Sequence, residues 1–355
     1  MTTTTTPESA SELSARSGKD PRRWWVLAVM SVGTLIVFLD TTVMNTAIPN
    51  IATDLGASTS ELQWVLDSYV LILAGLLMLG GSIGDRYGRR NWMTVGLVIF
   101  AVGSVFGALA TNIEALIAAR GVQGLGAALV LPATLSIVTN VFERDERSKA
   151  IAIWTAVGGL GIGLGPAIGG WLVDQWDWSA AFWIHVPVIG LALVGQLIVP
   201  ESRDPRNIGL DVKGAVAATV GITALVYGVI QGSEAGWGSL EIVGSFVIAA
   251  IMLAAFGRIE LTAEHPMLPL HFFKEKDFTG SVVVLGLLFF SGIVMFFFMT
   301  QFFQLVQGRS PLEAGLLVLP NAGAIVVASG IAQATLSRVG PRALVTTGVS
   351  IMGLG

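Results

Sequence analysis

The sequence predicts an all-α integral membrane protein, and three observations carry that prediction. Hydrophobic residues make up 53% of the 355 and charged residues only 12%, with a mean hydropathy of +0.75. A soluble domain carries about 25% charge, roughly twice the share present here. Apolar runs long enough to cross a ~30 Å hydrocarbon core, which takes about 20 residues, recur along most of the chain. The basic residues between those runs fall almost wholly in alternate loops.

The runs are read as spans at 24–48, 61–83, 92–111, 115–139, 149–173, 180–199, 212–231, 240–258, 279–303 and 313–335. Residues 1–23 are polar, Thr/Ser-rich and lack an apolar core in their first twenty positions, so they read as a disordered cytoplasmic tail and not a signal peptide. An eleventh apolar run begins at Ala343 and is 13 residues long at Gly355, short of a span. On that ground the chain is expected to be a piece of a longer protein.

Of the 20 Lys/Arg, only Arg309 lies in an opposite loop and only Arg120 lies within a span. The other eighteen share one side: four before the first span, then Arg86, Arg89, Arg90, Arg144, Arg147, Lys149, Arg203, Arg206, Lys213, Arg258, Lys274, Lys276, Arg338 and Arg342. Loops rich in Lys and Arg stay cytoplasmic, which predicts a multi-pass protein of the plasma membrane with its N-terminus inside. Trp176, Trp178 and Trp237 fall in the outside loops, where amphipathic rings favour the interface.

Composition also narrows the chemistry. Without Cys there is no disulfide framework, thiolate metal site or cysteine nucleophile. Three His, at 185, 265 and 271, make a zinc or haem site improbable, and a net charge of -4 argues against nucleic acid. No Ser/His/Asp set is visible, so an enzyme is not expected.

Three charges stand out because they lie in apolar runs: Asp40, Asp67 and Arg120. Each costs about +2.5 to +3.5 kcal/mol at a span centre. At 1.5 Å per residue, Asp40 lies ~24 Å from the cytoplasmic edge, and Asp67 and Arg120 each ~9 Å from the outer one. All three are expected to meet in one layer of the outer half of the bilayer. Snorkelling towards headgroups is the plain alternative for Asp67 and Arg120. The functional reading is a carboxylate site in a water-filled cavity with Arg120 as counter-charge, where proton and cationic ligand compete. His185 is read as a packing residue, with a proton relay as the rarer option. Seven Phe between Phe289 and Phe303 read as lipid and core contacts.

The fifth span carries Gly161, Gly165 and Gly169 at four-residue spacing, with Pro166 and Gly170 among them. That spacing makes a bare stripe for close helix packing, and Pro166 is expected to kink the helix. A static contact is the plain alternative to a sliding one. No GxxxxGK[ST] loop occurs, which disfavours an ATP-driven pump. The loop Gly81-Ser82-Ile83-Gly84-Asp85-Arg86-Tyr87-Gly88-Arg89-Arg90 shares R-x-G-x-R with Arg338-Val339-Gly340-Pro341-Arg342. Both follow an even-numbered span, suggesting a duplicated unit of the kind transporters are built from.

These residues resemble the major facilitator superfamily, in its fourteen-helix drug:proton antiporter branch. Gly81–Arg90 resembles the family's G-x-L-A-D-R-x-G-R-[KR] loop, with Ile83 and Gly84 as departures. Leu39–Pro49 resembles its first-helix L-D-x-T-V-x-N-x-A-[LI]-P element, and Arg120–Ala127 its R-x-x-Q-G-x-G-A element. Gly161–Gly170 resembles the G-x-x-x-G-P-x-x-G-G element of exporters. The resemblance implies a six-helix N-terminal bundle over 24–200, cytoplasmic loops and two linking helices over 201–277, and an incomplete C-terminal bundle from 278. It implies proton-coupled export of amphipathic, cationic compounds, similar to quaternary-ammonium and multidrug exporters. In that reading Asp40, Asp67 and Arg120 couple proton and cation. Asn45, Gln123 and Pro166 line the substrate cavity, and Gly81, Asp85, Arg86, Gly88, Arg89 and Arg90 gate the cytoplasmic side. The resemblance implies a monomer using the proton gradient and no cofactor. Two alternatives stay open: export of a single endogenous metabolite or antibiotic, and a non-transporting membrane fragment.

Overall fold

A computed structural model describes residues 21–204, 211–264, 266 and 268–354. Most of the expected tail, together with Arg206 and His265, lies outside the described residues. Helices occupy every predicted span: α1 (Arg23–Leu55), α2 (Thr59–Tyr87), α3 (Arg89–Ala108), α4 (Ile113–Val141), α5 (Arg144–Gln175), α6 (Ala180–Ile198), α7 (Val212–Ala235), α8 (Leu240–Thr262), α9 (Lys276–Val306) and α10 (Pro311–Leu354). No strand occurs among the described residues. The first nine are long and apolar enough to cross a membrane.

The ends of these helices follow from local chemistry. Ser58 opens α2 with a capping box: its hydroxyl accepts from the Glu61 backbone N–H at 3.3 Å, and the Glu61 carboxylate accepts from the Ser58 N–H at 2.8 Å. Asn112, Asp211 and Ser239 cap α4, α7 and α8 in the same way, each accepting from a backbone N–H three residues on. Such caps satisfy N–H groups the first turn leaves unpaired. Gly56 closes α1 in the left-handed conformation, φ 63°, which costs glycine nothing.

Pro166 does not interrupt α5, which runs on from Arg144 to Gln175 as an unbroken helix. The break in α10 falls instead at Gly340, with φ 78° and ψ 161°, between the tenth and eleventh apolar runs. Gly88, its counterpart in the first R-x-G-x-R, also has positive φ, 122°. The two copies therefore share a backbone device as well as a residue pattern.

Helix α1 packs between α5 and α4, and α4 in turn packs against α2 and α3. The pair α7 and α8 docks on α2, and α10 lies along α5. Large apolar side chains such as Phe106, Leu191, Leu197, Leu240 and Phe290 point outward, as a lipid-facing surface requires. The buried interior of α1–α6 forms two apolar clusters. One holds Val26, Met30, Val37, Tyr69, Phe100 and Ile137; the other holds Val43, Ile48, Ile51, Val65, Leu116 and Phe182. On α1 the two meet between Val37 and Leu39, and Asp40 lies just beyond that boundary.

Candidate functional site

Between the two clusters Asp40 and Arg120 form an ion pair, Nη1 to Oδ2 at 2.6 Å, with exposures of 0% and 1%. The same Nη1 donates to Gln123 Oε1 at 2.8 Å, and Nε donates to the Val65 carbonyl at 3.0 Å. The guanidinium lies 4.4 Å from the Tyr69 ring, whose hydroxyl donates to the Val37 carbonyl. Gln123 Nε2 continues the chain to Ser104 Oγ at 2.9 Å. Arg120 thus ties α4 to α1 and α2, and Gln123 ties it to α3. A charge inside a bilayer is held only by such partners, and none of this geometry allows Arg120 to snorkel.

Asp40 and Arg120 meet, but Asp67 does not join them. Asp67 makes no hydrogen bond or ion pair with any described residue and is half-buried, not sealed. The reason is rotation about α2. Val65 and Tyr69, the residues meeting Arg120, are fully buried, and at ~100° per residue Asp67 stands about 200° round from Val65. Nor does the Asp40–Arg120 pair face open water. Both side chains are packed inside the bundle, where the Val65 carbonyl, Gln123 and the Tyr69 ring surround the guanidinium.

Two residues expected to line a cavity are instead packed. Gln123 is 0% exposed, held between Arg120 and Ser104. Pro166 is buried, and its carbonyl lies where a side chain on Gly315 would be. Asn45 is half-buried, and its amide donates to the Thr41 carbonyl one turn back. Trp178 has also turned inward from its loop, donating to Asp54 at 2.8 Å.

The glycine stripe makes the close contacts its spacing predicts. A Cβ on Gly161 would lie 3.0 Å from the Leu35 carbonyl, and one on Gly169 would lie 3.0 Å from the Val43 backbone. At Gly165 it would collide with Thr42 Oγ1. On the other face of α5, Gly170 abuts the Pro311 carbonyl and Gly315 abuts that of Pro166. The stripe seals α5 against α1, and Gly170 on the opposite face meets α10.

Where α2 meets α3, Asp85 and Arg89 pair at 2.7 Å, and Arg86 stacks over Tyr87. Gly81 faces Pro132 on α4. Sequence reasoning missed Glu201. Its carboxylate accepts from the backbone N–H groups of Arg90 and Asn91 at 3.1 and 3.2 Å, capping α3 from 110 residues away. Neighbouring strands of chain add to the clasp: Arg89 N–H donates to Ser202 O, Asp204 N–H to Asp85 O, and Arg90 Nη1 to Val199 O. Arg23 reaches the Glu146 carboxylate at 2.8 Å, joining α1 to the start of α5. The sequence offered only an acid after Pro200; nothing local names its partner.

Packed helices, nine of them among the described residues long and apolar enough to cross a membrane, around a buried ion pair define a multi-pass membrane protein. The chain belongs to the major facilitator superfamily, whose family model matches residues 30–355. It is 35% identical over 331 residues to the multidrug resistance protein Stp of Mycobacterium tuberculosis, covering 93% of this chain and 62% of that protein. It is 37% identical over 337 residues to the puromycin resistance protein of Streptomyces alboniger, covering 94% of this chain and 67% of that protein. The chain therefore spans roughly two thirds of the relatives it matches, and less than that of the first. Among solved structures, a major facilitator proton:xylose symporter bound to 6-bromo-6-deoxy-D-glucose superposes with TM-score 0.61 at 17% identity, over 91% of this chain and 70% of that one. At that identity the likeness concerns the fold.

Proposed function

We propose that this protein belongs to a proton-coupled exporter of drug-like, amphipathic and chiefly cationic compounds, working in the plasma membrane with its N-terminus cytoplasmic. The buried Asp40–Arg120 pair is the observation that carries the reading. It couples α1 to α4 through one carboxylate oxygen and leaves the other, Oδ1, without a hydrogen bond. A proton arriving at Oδ1 cancels the carboxylate charge. Arg120 then keeps its positive charge with only neutral partners, and the tie between α1 and α4 weakens. Loss of the proton restores the pair. A two-state contact of this kind, biased by a proton, is what an antiporter needs to change the side its cavity opens to.

The printed names of the relatives, multidrug resistance and puromycin resistance, support a drug-like substrate and a transporter in place of an enzyme. Asp67 supports a cationic one: it is half-buried and unpaired, so its charge is available to a ligand. Gly161, Gly165 and Gly169 on one face and Gly170 on the other support a helix that seals against both neighbours, with Gly81, Asp85, Arg86, Gly88, Arg89 and Arg90 as the cytoplasmic latch. No cofactor is needed, because the proton gradient supplies the energy.

The experiment is efflux of a cationic dye from energised cells expressing the protein, with Asp40→Asn and Arg120→Ala beside the wild type. The proposal expects both variants to lose efflux and its dependence on external pH. Efflux and pH dependence intact in both overturns the coupling. Transport restricted to one compound across a substrate panel overturns the multidrug part.

A further inference from the structure

His185 stands on the far side of Asp40 from Arg120, and the ion-pair reading leaves it unused. The residue opens the main segment of α6, is 1% exposed, and places Nε2 3.7 Å from Asp40 Oδ1. Its ring packs edge-on against Phe100, centroids 5.4 Å apart. Packing alone does not account for it. Both ring nitrogens and Asp40 Oδ1 are buried without a well-formed hydrogen bond, whereas buried polar groups are nearly always paired. The ring and the α1 carboxylate therefore face each other across 3.7 Å, each with a buried polar atom left unsatisfied.

We propose that His185 is the proton-holding partner of Asp40, and that one proton is shared between its Nε2 and Oδ1. This rests on the proton-coupled reading above and names where the proton resides. A neutral imidazole carries one N–H and one bare nitrogen, so the gap between Nε2 and Oδ1 has a place for one proton. A proton there gives both atoms a partner. With His185 neutral, Asp40 ionised and Arg120 charged, the trio has no net charge; taking up the proton makes it +1. On Nε2 the proton gives an imidazolium against a carboxylate. Moved to Oδ1, it gives a neutral ring and a neutral acid. The charge is +1 either way, but only the second arrangement releases Arg120 from its counter-charge. His185 thereby lets the site hold a proton without breaking the α1–α4 tie, and break the tie by a transfer across one short gap. The charged or titratable groups facing the ring are Asp40 from α1 and Arg120 from α4. Tyr69 from α2 packs on Arg120 behind them.

The test is ¹⁵N nuclear magnetic resonance of histidine-labelled protein in lipid nanodiscs, titrated between about pH 5 and about pH 9, the span in which imidazole charge changes. With three His in the chain, His185→Asn identifies the signal. We expect His185 to titrate, and its midpoint to fall by more than about one pH unit, tenfold in proton affinity, in Asp40→Asn. If Asp40→Asn does not fold, Asp40→Glu is read instead, and a displaced midpoint is expected there too. A His185 that keeps one neutral tautomer throughout, or titrates identically in wild type and variant, overturns the proposal. The readout needs no transport. Absence of dye efflux with a coupled His185 titration therefore removes the exporter reading alone, and efflux with a silent His185 removes this inference alone.

Discussion

Arg120 and Asp40, 80 residues apart in sequence, meet at 2.6 Å near the boundary between the two apolar clusters of α1–α6. Taking one partner away leaves the other charged and enclosed, which costs about 3–5 kcal/mol. Arg120→Ala is therefore expected to lower stability by that order, and Asp40→Asn by less, since the amide still accepts from Arg120. The double variant should lose less than the two singles added together, by at least about 1 kcal/mol. Denaturant titration of the purified protein in detergent reads this cycle directly, and strict additivity would show that the pair is not coupled.

Asp67 predicts the opposite pattern. It has no partner among the described residues, so Asp67→Asn removes a half-buried charge without breaking a contact. Stability should stay within about 0.5 kcal/mol of wild type, while affinity for a cationic ligand falls and that for a neutral one does not. Equal loss for both ligand types would mean the residue shapes the cavity and does not supply charge.

The glycine contacts predict a graded series along α5. Gly159→Ala adds its methyl to open space and should be neutral. Gly161→Ala meets the Leu35 carbonyl at 3.0 Å and should be mildly destabilising. Gly165→Ala collides with Thr42 and should cost about 1–3 kcal/mol, the usual range for overpacking. Melting temperatures in that rank order check the close approach of α5 to α1.

At the clasp between α2 and α3, Glu201→Ala leaves two N–H groups at the start of α3 without their acceptor. A loss of about 1 kcal/mol is expected from the missing cap, together with faster hydrogen exchange at Arg90 and Asn91. Gly88→Ala should be worse, because φ 122° strains any side chain and its Cβ would stand 2.9 Å from the Glu201 carboxylate.

How far the sequence carried this reading differs between depth and direction. The helices and the meeting of Asp40 with Arg120 followed from apolar run length and 1.5 Å per residue, both of them local quantities. Direction did not follow, and Asp67 was grouped with the pair although helical rotation turns it away from Val65 and Tyr69. That signal was present in the residue spacing. The partners of Glu201 and His185 were not: each lies more than 100 residues away, and only folding brings Arg90 and Asp40 to them. Gln123 and Pro166 read as cavity residues because polar and kinking groups in spans suggest water. Packed neighbours, Ser104 for one and Gly315 for the other, decided otherwise.

The central claim is that Asp40 carries the proton that drives transport. Its most direct test is dye accumulation in inverted membrane vesicles driven by an imposed pH gradient, comparing wild type with Asp40→Asn. The account predicts that gradient-driven accumulation in Asp40→Asn falls to the level of protein-free vesicles while dye binding is retained. Accumulation in Asp40→Asn at the wild-type rate under the same gradient would contradict it.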